Sequence, residues 1–373
     1  MDIEDLPTPS LILERAVVTR NTQRMGARMT EHGVALRPHV KTAKSVPVAK
    51  LATAGHSGAI TVSTLSEAAY FLSHGFTDMT YAVCLAPNKL AAAAALIAQG
   101  ADLKVIIDSI DAAQAIVGHA GQEHFKVLVE IDCGDARTGL LPDALDLLDI
   151  AQIIDGSPQA EFLGVLTHGG HSYGERDIAG IQRIAREERE AVIHAAQRLR
   201  SSGLPCLVVS AGSTPTAMHG ESYEGITEMR PGVYVFFDLD QLSRQTCGPN
   251  DLALSVLGTV ISHNRHVGQI VTDTGALAMS KDISATTRWP DAGYGSVCNS
   301  RTLAPIEGLH IAKVSQEHGI VPVSDPAQYD LLPIGTKIRV LPNHACITAS
   351  AYTHYEVVDG NEVVDRWERI NGW

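Results

Sequence analysis

The sequence predicts an α/β fold, in which a (β/α)8 TIM-type barrel is joined to a C-terminal, mainly antiparallel β domain. Two observations predict it. Eight short β-branched runs alternate with alanine-rich amphipathic stretches between residues 34 and 230. After Asp240 the strand-like runs follow one another, separated by Gly and Pro. Eight repeats in about 200 residues suit a barrel, although a doubly wound open sheet gives the same alternation.

The predicted barrel strands are short, and the stretches between them repeat apolar residues at three- and four-residue spacing. The clearest of these predicted helices are Ala144–Ile154 and Ile178–Arg200. The eight strands are predicted at Val34–Leu36, Ala59–Val62, Thr80–Val83, Leu103–Ile107, Val127–Ile131, Phe162–Leu166, Leu207–Val209 and Ile226–Met229.

The β domain is predicted from six further runs and from the start of the chain. Thr8–Leu13 reads as a strand that precedes the first barrel helix and could join this domain. We therefore predict a barrel domain at 14–235 and a β domain at 1–13 and 236–373. The six runs are Leu254–Ile261, Gln269–Asp273, His310–Val314, Lys337–Leu341, Ala345–Ala349 and Tyr355–Val358.

Composition and charge exclude several classes of function. The 373 residues carry a formal charge of −13, which repels nucleic acids and anionic lipids. The longest apolar stretch, Leu90–Ala98, is about half of the ~20 residues that a membrane span needs. The N-terminus lacks the features of a signal peptide, and six dispersed cysteines without a CxxC motif are interpreted, in a reducing compartment, as mostly buried small hydrophobic residues. We therefore expect a cytoplasmic protein that binds neither nucleic acid nor membrane.

The C-terminal ends of the barrel strands carry unusually polar residues, and this is where barrel enzymes place their chemistry. Lys41 follows the first strand. Desolvation and neighbouring cations such as Arg37 would lower its pKa and make it a Schiff-base nucleophile. The alternative is a solvated loop lysine.

Phosphate binding is predicted after strands seven and eight, a common phosphate site in barrels. Gly212, Ser213 and Thr214 offer backbone N–H groups and hydroxyls, and Gly232 supplies the second loop. A plain turn is the alternative. A lysine and a phosphate cradle on one face suggest pyridoxal phosphate.

Three more side chains fit that cofactor. Arg230 is placed to meet the pyridine nitrogen, Arg137 could reach the phenolic oxygen, and His168 could stack on the ring or hydrogen-bond to it. The alternatives are structural ion pairs for the two arginines and a core position for the histidine.

A metal site is predicted near the end of the β domain. On a strand, residues two apart point to the same side, so His344 and Cys346 would present an imidazole and a sulfur to one spot. This pair suits Zn2+ and leaves coordination positions for water or substrate. A buried cysteine beside a strand histidine is the alternative.

Several motifs together resemble the fold-type III pyridoxal-phosphate enzymes, and within them the D-threonine aldolase and D-serine dehydratase group. The resemblance covers essentially the whole chain. The motifs are Asp5-Leu6-Pro7-Thr8-Pro9, Arg37-Pro38-His39-Val40-Lys41-Thr42, the segment from Glu130 to Gly139, Gly212-Ser213-Thr214, Arg230-Pro231-Gly232-Val233-Tyr234, Ser315-Gln316-Glu317-His318-Gly319 and His344-Ala345-Cys346.

The resemblance implies an alanine-racemase-like barrel with a β domain, a homodimer, and pyridoxal 5'-phosphate contacts that include Val233 and Tyr234. Dehydratases of the group carry His-x-Cys at the metal position, whereas aldolases carry His-x-Asp. Cys346 therefore favours elimination of water from a D-3-hydroxy amino acid, with Zn2+, Mn2+ or Co2+ as the metal. We expect Lys41 to act as the general base. An aldolase, a racemase and a non-catalytic cofactor carrier are the alternatives.

Overall fold

A computed structural model describes all residues from Met1 to Trp373. The strands are β1 (Ser10–Glu14), β2 (Ala35–Leu36), β3 (Ile60–Val62), β4 (Asp78–Cys84), β5 (Asp102–Ile107), β6 (Phe125–Ile131), β7 (Ala160–Thr167), β8 (Val208–Ala211), β9 (Glu228–Met229), β10 (Leu254–Asn264), β11 (Gln269–Thr272), β12 (Gly295–Asn299), β13 (Pro305–His310), β14 (Lys313–Val314), β15 (Gly319–Pro322), β16 (Lys337–Pro342), β17 (His354–Asp359) and β18 (Glu362–Glu368).

The α-helices are α1 (Arg15–Glu31), α2 (Val46–Thr53), α3 (Leu65–Ser73), α4 (Leu90–Ala98), α5 (Ile110–Val117), α6 (Asp146–Asp155), α7 (Ile178–Ser201), α8 (Thr214–His219), α9 (Leu239–Ser243), α10 (Ala276–Met279), α11 (Ala327–Leu331) and α12 (Ala345–Ala349). None of them meets the length and hydropathy that a membrane-spanning helix requires. The chain divides into two compact units. The barrel unit comprises residues 23–232 with the last two residues, and the sheet unit comprises 1–22 with 233–371.

The barrel unit contains eight parallel strands in the order β2-β9-β8-β7-β6-β5-β4-β3. The two ends of this order are joined by a parallel bridge between His39 and Thr61. Around it, the Thr61 amide donates to the Pro38 carbonyl and the Val40 amide donates to the Thr61 carbonyl, both at 2.9 Å. This closure confirms the predicted barrel and excludes the open sheet.

The barrel core is built from the β-branched residues that predicted its strands. Val105, Val127, Val129 and Val165 are fully buried on neighbouring strands. Burying such side chains contributes about 1.5–3 kcal/mol each, so the alternating runs stabilise the ring as well as define it. The polar residues that follow the strands are left at the mouth of the barrel.

The sheet unit is built on a ten-stranded, mostly antiparallel sheet. Its β1 pairs antiparallel with β10 and parallel with β17, which confirms that the opening segment of the chain joins this unit. The predicted domain boundaries at 13/14 and 235/236 stay a prediction.

Two predictions for this sheet are wrong. Residues 345–349 form a short helix, α12, and not a strand. The predicted strand His310–Val314 is divided, because the amide of Ile311 donates to Gly295 of β12 whereas the amide of Ala312 donates to Ile320 of β15. The sequence also gave no signal for β12, β15 or β18, which are short or rich in polar residues.

A buried ion network crosses the barrel interior. The Arg37 side chain is 8% exposed, its Nε donates to Glu228 Oε2 at 2.7 Å, and its Nη1 donates to Asp78 Oδ1 at 2.6 Å. Burial opposes the charge on Arg37, but Glu228 and Asp78 together raise the pKa of the guanidinium. The network therefore depends on its carboxylates.

Removing one of these charges is expected to destabilise the barrel. Glu228→Gln should lower the free energy of unfolding by about 2–3 kcal/mol, because it leaves the buried Arg37 charge only partly balanced. Asp359→Asn breaks an exposed ion pair with Arg15. This control should change the free energy of unfolding by less than about 1 kcal/mol. Urea unfolding measures both, and equal effects of the two substitutions would contradict the prediction.

Candidate active-site residues

A small pocket lies at the mouth of the barrel, where strands β2, β4, β6, β7, β8 and β9 end. It brings together five of the residues that the sequence analysis selected: Lys41, Arg137, His168, Gly212 and Arg230. The complete lining consists of His39, Lys41, Ala82, Glu130, Arg137, Leu166, His168, Gly212 and Arg230.

Lys41 is exposed at this pocket, and its amide donates to His39 Nδ1 at 3.4 Å. Burial, together with the charges of Lys41 and Arg230, holds the pKa of His39 well below its usual value. We expected Arg37 to act as a neighbouring cation that lowers the pKa of Lys41. That expectation needs correction, because the Arg37 guanidinium is paired with Glu228 and Asp78.

His168 is a neutral imidazole with a defined tautomer. Burial, followed by the charges of Lys41 and Arg137, lowers the pKa of His168 to about 3. Its Nδ1 lies 3.1 Å from the Gly212 carbonyl. A carbonyl only accepts, so Nδ1 carries the proton and Nε2 keeps its lone pair.

Arg230 is held rigidly from two neighbouring strands. It is 5% exposed, and its Nη2 donates to the Thr167 carbonyl at 2.6 Å. Its Nη1 donates to Ser210 Oγ and, at 3.3 Å, to the Ala211 carbonyl. Burial lowers the pKa of Arg230 from that of a free guanidinium, but an arginine remains a cation in proteins.

Arg137 is less constrained than Arg230. Its side chain is 56% exposed, and its Nη1 lies 3.8 Å from Asp135 Oδ2 in the loop that follows β6. That loop is shaped by Asp132, whose Oδ1 accepts the amides of Gly134 and Ala136. Arg137 thus has the freedom to meet a ligand in the pocket.

The predicted phosphate loop enters α8. Gly212 has φ +116°, and a Cβ there would lie 3.0 Å from the Arg230 amide nitrogen, so the position requires glycine. The Ser213 hydroxyl accepts the Thr216 amide and caps the helix. The loop is therefore fixed before any ligand binds.

Polar groups from three segments converge beside this loop. The Thr214 amide points to the Tyr173 hydroxyl at 3.4 Å, and the Gly232 amide points to Thr214 Oγ1 at 3.3 Å. These long hydrogen bonds bring together donors suited to a phosphate. The sequence analysis missed Tyr173, because nothing local distinguishes it from other loop tyrosines.

Val233 and Tyr234 follow directly in the chain and form the start of a 3-10 turn. Their exposed fractions are 7% and 1%, and burial raises the pKa of Tyr234. Both belong to the sheet unit. Their predicted role in cofactor binding stays a prediction.

Two buried glutamates of the barrel unit were not selected as site residues. Glu130 is the penultimate residue of β6, is 5% exposed, and accepts a hydrogen bond from the Cys84 thiol at 3.0 Å. Burial and this carboxylate raise the pKa of Cys84. Glu188, on α7, accepts the amides of Gly169 and Gly212. Helical periodicity places Glu188 on a buried face but gives no signal of what it contacts.

His344 and Cys346 lie at the start of α12 in the sheet unit, and the strand argument for their pairing is wrong. Asp238 Oδ2 accepts the Ala345 amide at 2.9 Å, and the Thr348 amide donates to the His344 carbonyl, so the chain turns into a helix here. The two side chains nevertheless interact, because the helical turn brings the thiol to the imidazole.

The imidazole of His344 is oriented by a carboxylate. Its Nδ1 lies 2.9 Å from Asp282 Oδ2, which leaves Nε2 for another partner. Burial lowers the pKa of His344, but Cys346 and Asp282 outweigh it and raise that pKa to about 11. No group of three or more His, Cys, Asp or Glu side chains is arranged to hold a metal. The pair would offer an ion two protein ligands.

The fold and these residues agree with comparisons to known proteins. Residues 14–240 match the alanine racemase N-terminal domain family, and residues 253–358 match the putative serine dehydratase domain family. The first match spans more than half of the chain, so the protein belongs to the alanine-racemase-like family, and the predicted relationship is confirmed.

Individual relatives span the whole chain. D-threo-3-hydroxyaspartate dehydratase from Delftia sp. is 44% identical over 99% of this chain and 98% of its own. Its solved structure matches with a TM-score of 0.96 at 43% identity, covering 100% of both chains. D-serine dehydratase from Dictyostelium discoideum is 31% identical over 100% of this chain and 98% of its own.

Proposed function

We propose that the protein is a pyridoxal-phosphate- and zinc-dependent dehydratase that converts a D-3-hydroxy amino acid to a 2-oxo acid and ammonia. One observation carries the proposal: the chain combines a lysine-bearing pocket at the barrel mouth with an interacting His344–Cys346 pair. Because the chain is 44% identical to D-threo-3-hydroxyaspartate dehydratase, D-threo-3-hydroxyaspartate is the first substrate to test.

The barrel-mouth residues fit pyridoxal phosphate. The Lys41 amine can bind the cofactor aldehyde, and the fixed Arg230 cation can face the pyridine nitrogen. Thr214, Gly232 and Tyr173 supply donors for the phosphate. Arg137 is free to reach the phenolic oxygen.

The sheet-unit pair fits a divalent ion such as Zn2+, Mn2+ or Co2+. Metal-binding histidines commonly use their second nitrogen to bond a carboxylate, as His344 does with Asp282. A thiolate and an imidazole together favour zinc. A solved structure of a Cys-to-Ala variant of D-threo-3-hydroxyaspartate dehydratase is named as the metal-free form, which supports a metal in that enzyme.

When bound, pyridoxal phosphate supplies an electron sink for charge at Cα, and the metal supplies a Lewis acid for the leaving hydroxyl. Lys41 removes the Cα proton as general base. His168 is neutral and adds no charge to the pocket, whereas the Arg230 guanidinium is a permanent cation there. His344 and Cys346 would hold the metal.

The His344–Asp282 contact predicts a measurable effect on metal affinity. Asp282→Asn should weaken Zn2+ binding about 10–100-fold, because the amide is a poorer acceptor and orients the imidazole less firmly. Competition with a chromophoric chelator measures this affinity. Asp291→Asn, an exposed change on the same unit, is the control. Unchanged affinity in Asp282→Asn would contradict the role of His344.

The reaction is tested by offering D-threo-3-hydroxyaspartate, D-serine and D-threonine and measuring ammonia and glycine in parallel. The proposal predicts ammonia in equal amount to the 2-oxo acid, which is oxaloacetate from hydroxyaspartate. Glycine with an aldehyde would identify an aldolase, and interconverted enantiomers without ammonia would identify a racemase. Either result would overturn the proposal.

We also propose that the enzyme acts as a cytoplasmic homodimer. The dimer is supported by the family resemblance, and the reducing compartment by the lack of any disulfide among the six cysteines. Sedimentation of the purified protein tests the dimer.

A further inference from the structure

Glu188 is a buried carboxylate that the proposed reaction does not use. It lies in the middle of α7, with 2% of its surface exposed. Burying a carboxylate is costly unless hydrogen bonds compensate it. The hydrogen bonds that Glu188 accepts must therefore compensate the cost of burying its carboxylate.

One oxygen of Glu188 ties two loops together. Oε1 accepts the Gly169 amide at 2.6 Å and the Gly212 amide at 3.0 Å. The first amide belongs to the loop after β7 and the second to the loop after β8. Thr216, in the first turn of α8, adds a side-chain hydrogen bond to the carboxylate.

The two glycines leave room for this arrangement. A Cβ at Gly169 would lie 3.1 Å from both Cδ and Oε1 of Glu188. Gly212 has a positive φ that other residues rarely adopt. Neither loop can therefore carry a larger residue at this point without moving the carboxylate or the backbone.

The same two loops carry residues of the proposed cofactor site. The first carries His168, and the second continues from Gly212 into Thr214 at the phosphate cradle. On the pocket side, His168 Nδ1 donates to the Gly212 carbonyl. The loops are thus joined once at the pocket by His168 and once from behind by Glu188.

We propose that Glu188 is a positioning residue that sets the affinity for the cofactor phosphate by holding the Gly169 and Gly212 amides on one oxygen. The inference rests on the proposed function, because it assigns the phosphate of pyridoxal phosphate to this cradle. Glu188 does not touch the cofactor in this account. It acts through the loop that does.

Binding of pyridoxal phosphate and of pyridoxal, which lacks the phosphate, tests the proposal. Glu188→Gln should weaken the affinity of the apoprotein for pyridoxal phosphate about tenfold, since charge-assisted hydrogen bonds to two amides become neutral ones. Its affinity for pyridoxal should change less than about threefold. Quenching of tryptophan fluorescence measures both, and Glu190→Gln, an exposed change on the same helix, should alter neither.

A second variant guards against misfolding of the first. In Gly169→Ala the backbone φ of −75° suits alanine, but the new methyl group would press on the Glu188 carboxylate. We expect the same selective loss of affinity for pyridoxal phosphate. If Glu188→Gln does not fold, Gly169→Ala gives the answer.

The outcomes separate this inference from the proposed function. Equal losses for both ligands would show a general structural role for Glu188 and overturn the inference, as would unchanged binding of pyridoxal phosphate. A wild-type protein that binds no pyridoxal phosphate would overturn the proposed function itself.

Discussion

Replacing Lys41 with alanine is expected to abolish turnover, with a fall in kcat of about 10⁴-fold or more. The amine has two tasks in the proposed reaction: it attaches the cofactor and removes the Cα proton. General base catalysis alone contributes about 10²–10⁴-fold. Ammonia release measures the loss, and the absorbance of the lysine-linked cofactor should vanish with it.

Lys50→Ala is the matched control, because Lys50 is an exposed lysine near the end of α2 on the same unit. It should leave both turnover and cofactor absorbance unchanged. Turnover retained in Lys41→Ala would show that Lys41 is not the group that binds the cofactor aldehyde and removes the Cα proton. Retained cofactor absorbance in that variant would show that another lysine holds the aldehyde.

Replacing His344 or Cys346 with alanine is expected to remove the metal and lower ammonia release by about 10³-fold or more. Each substitution leaves a single protein ligand, and a hydroxyl without a Lewis acid is a poor leaving group. Metal analysis should find less than one ion per two chains. The cofactor absorbance should persist, because both residues belong to the sheet unit and Lys41 to the barrel unit.

Cys247→Ala provides the control for thiol loss in the same unit, and it should retain both metal and activity. Full activity in His344→Ala would show that the imidazole has no part in elimination. Loss of the cofactor absorbance in His344→Ala would mean that cofactor binding at Lys41 depends on the metal ligands, which would contradict the assignment of cofactor and metal to separate sets of residues.

The barrel could be predicted from the sequence because its strands are local β-branched runs that bury themselves in the ring. The strands at the edges of the sheet unit could not be predicted in this way. Strand β18, for example, carries four charged residues in seven, so it lacks the alternation of a half-buried strand. Its pairing with β17 is set by the sheet beside it.

Helix α12 shows a different limit. Its Ala-Cys-Ile-Thr-Ala sequence contains strand-forming residues. However, the Ala345 amide donates a hydrogen bond to the side chain of Asp238, which lies more than a hundred positions earlier in the chain. That contact favours a helical turn. The strand geometry used to pair His344 with Cys346 is therefore wrong, although the two side chains interact, and their role as metal ligands stays a prediction.

The polar residues at the strand ends were predictable because barrels place their chemistry there. Glu188 and Tyr173 were not, because each acts on loops that lie about 20 to 40 positions away in the chain. Only the closed barrel brings those loops together.

The central claim is that one enzyme uses a lysine-held cofactor and a metal to expel a hydroxyl. The most direct test loads the protein with pyridoxal phosphate, strips the metal with a chelator, and follows ammonia release from D-threo-3-hydroxyaspartate before and after Zn2+ is returned. We predict almost no ammonia without metal and full recovery with it, while the cofactor absorbance stays constant. An unchanged rate in the metal-free enzyme would contradict the claim.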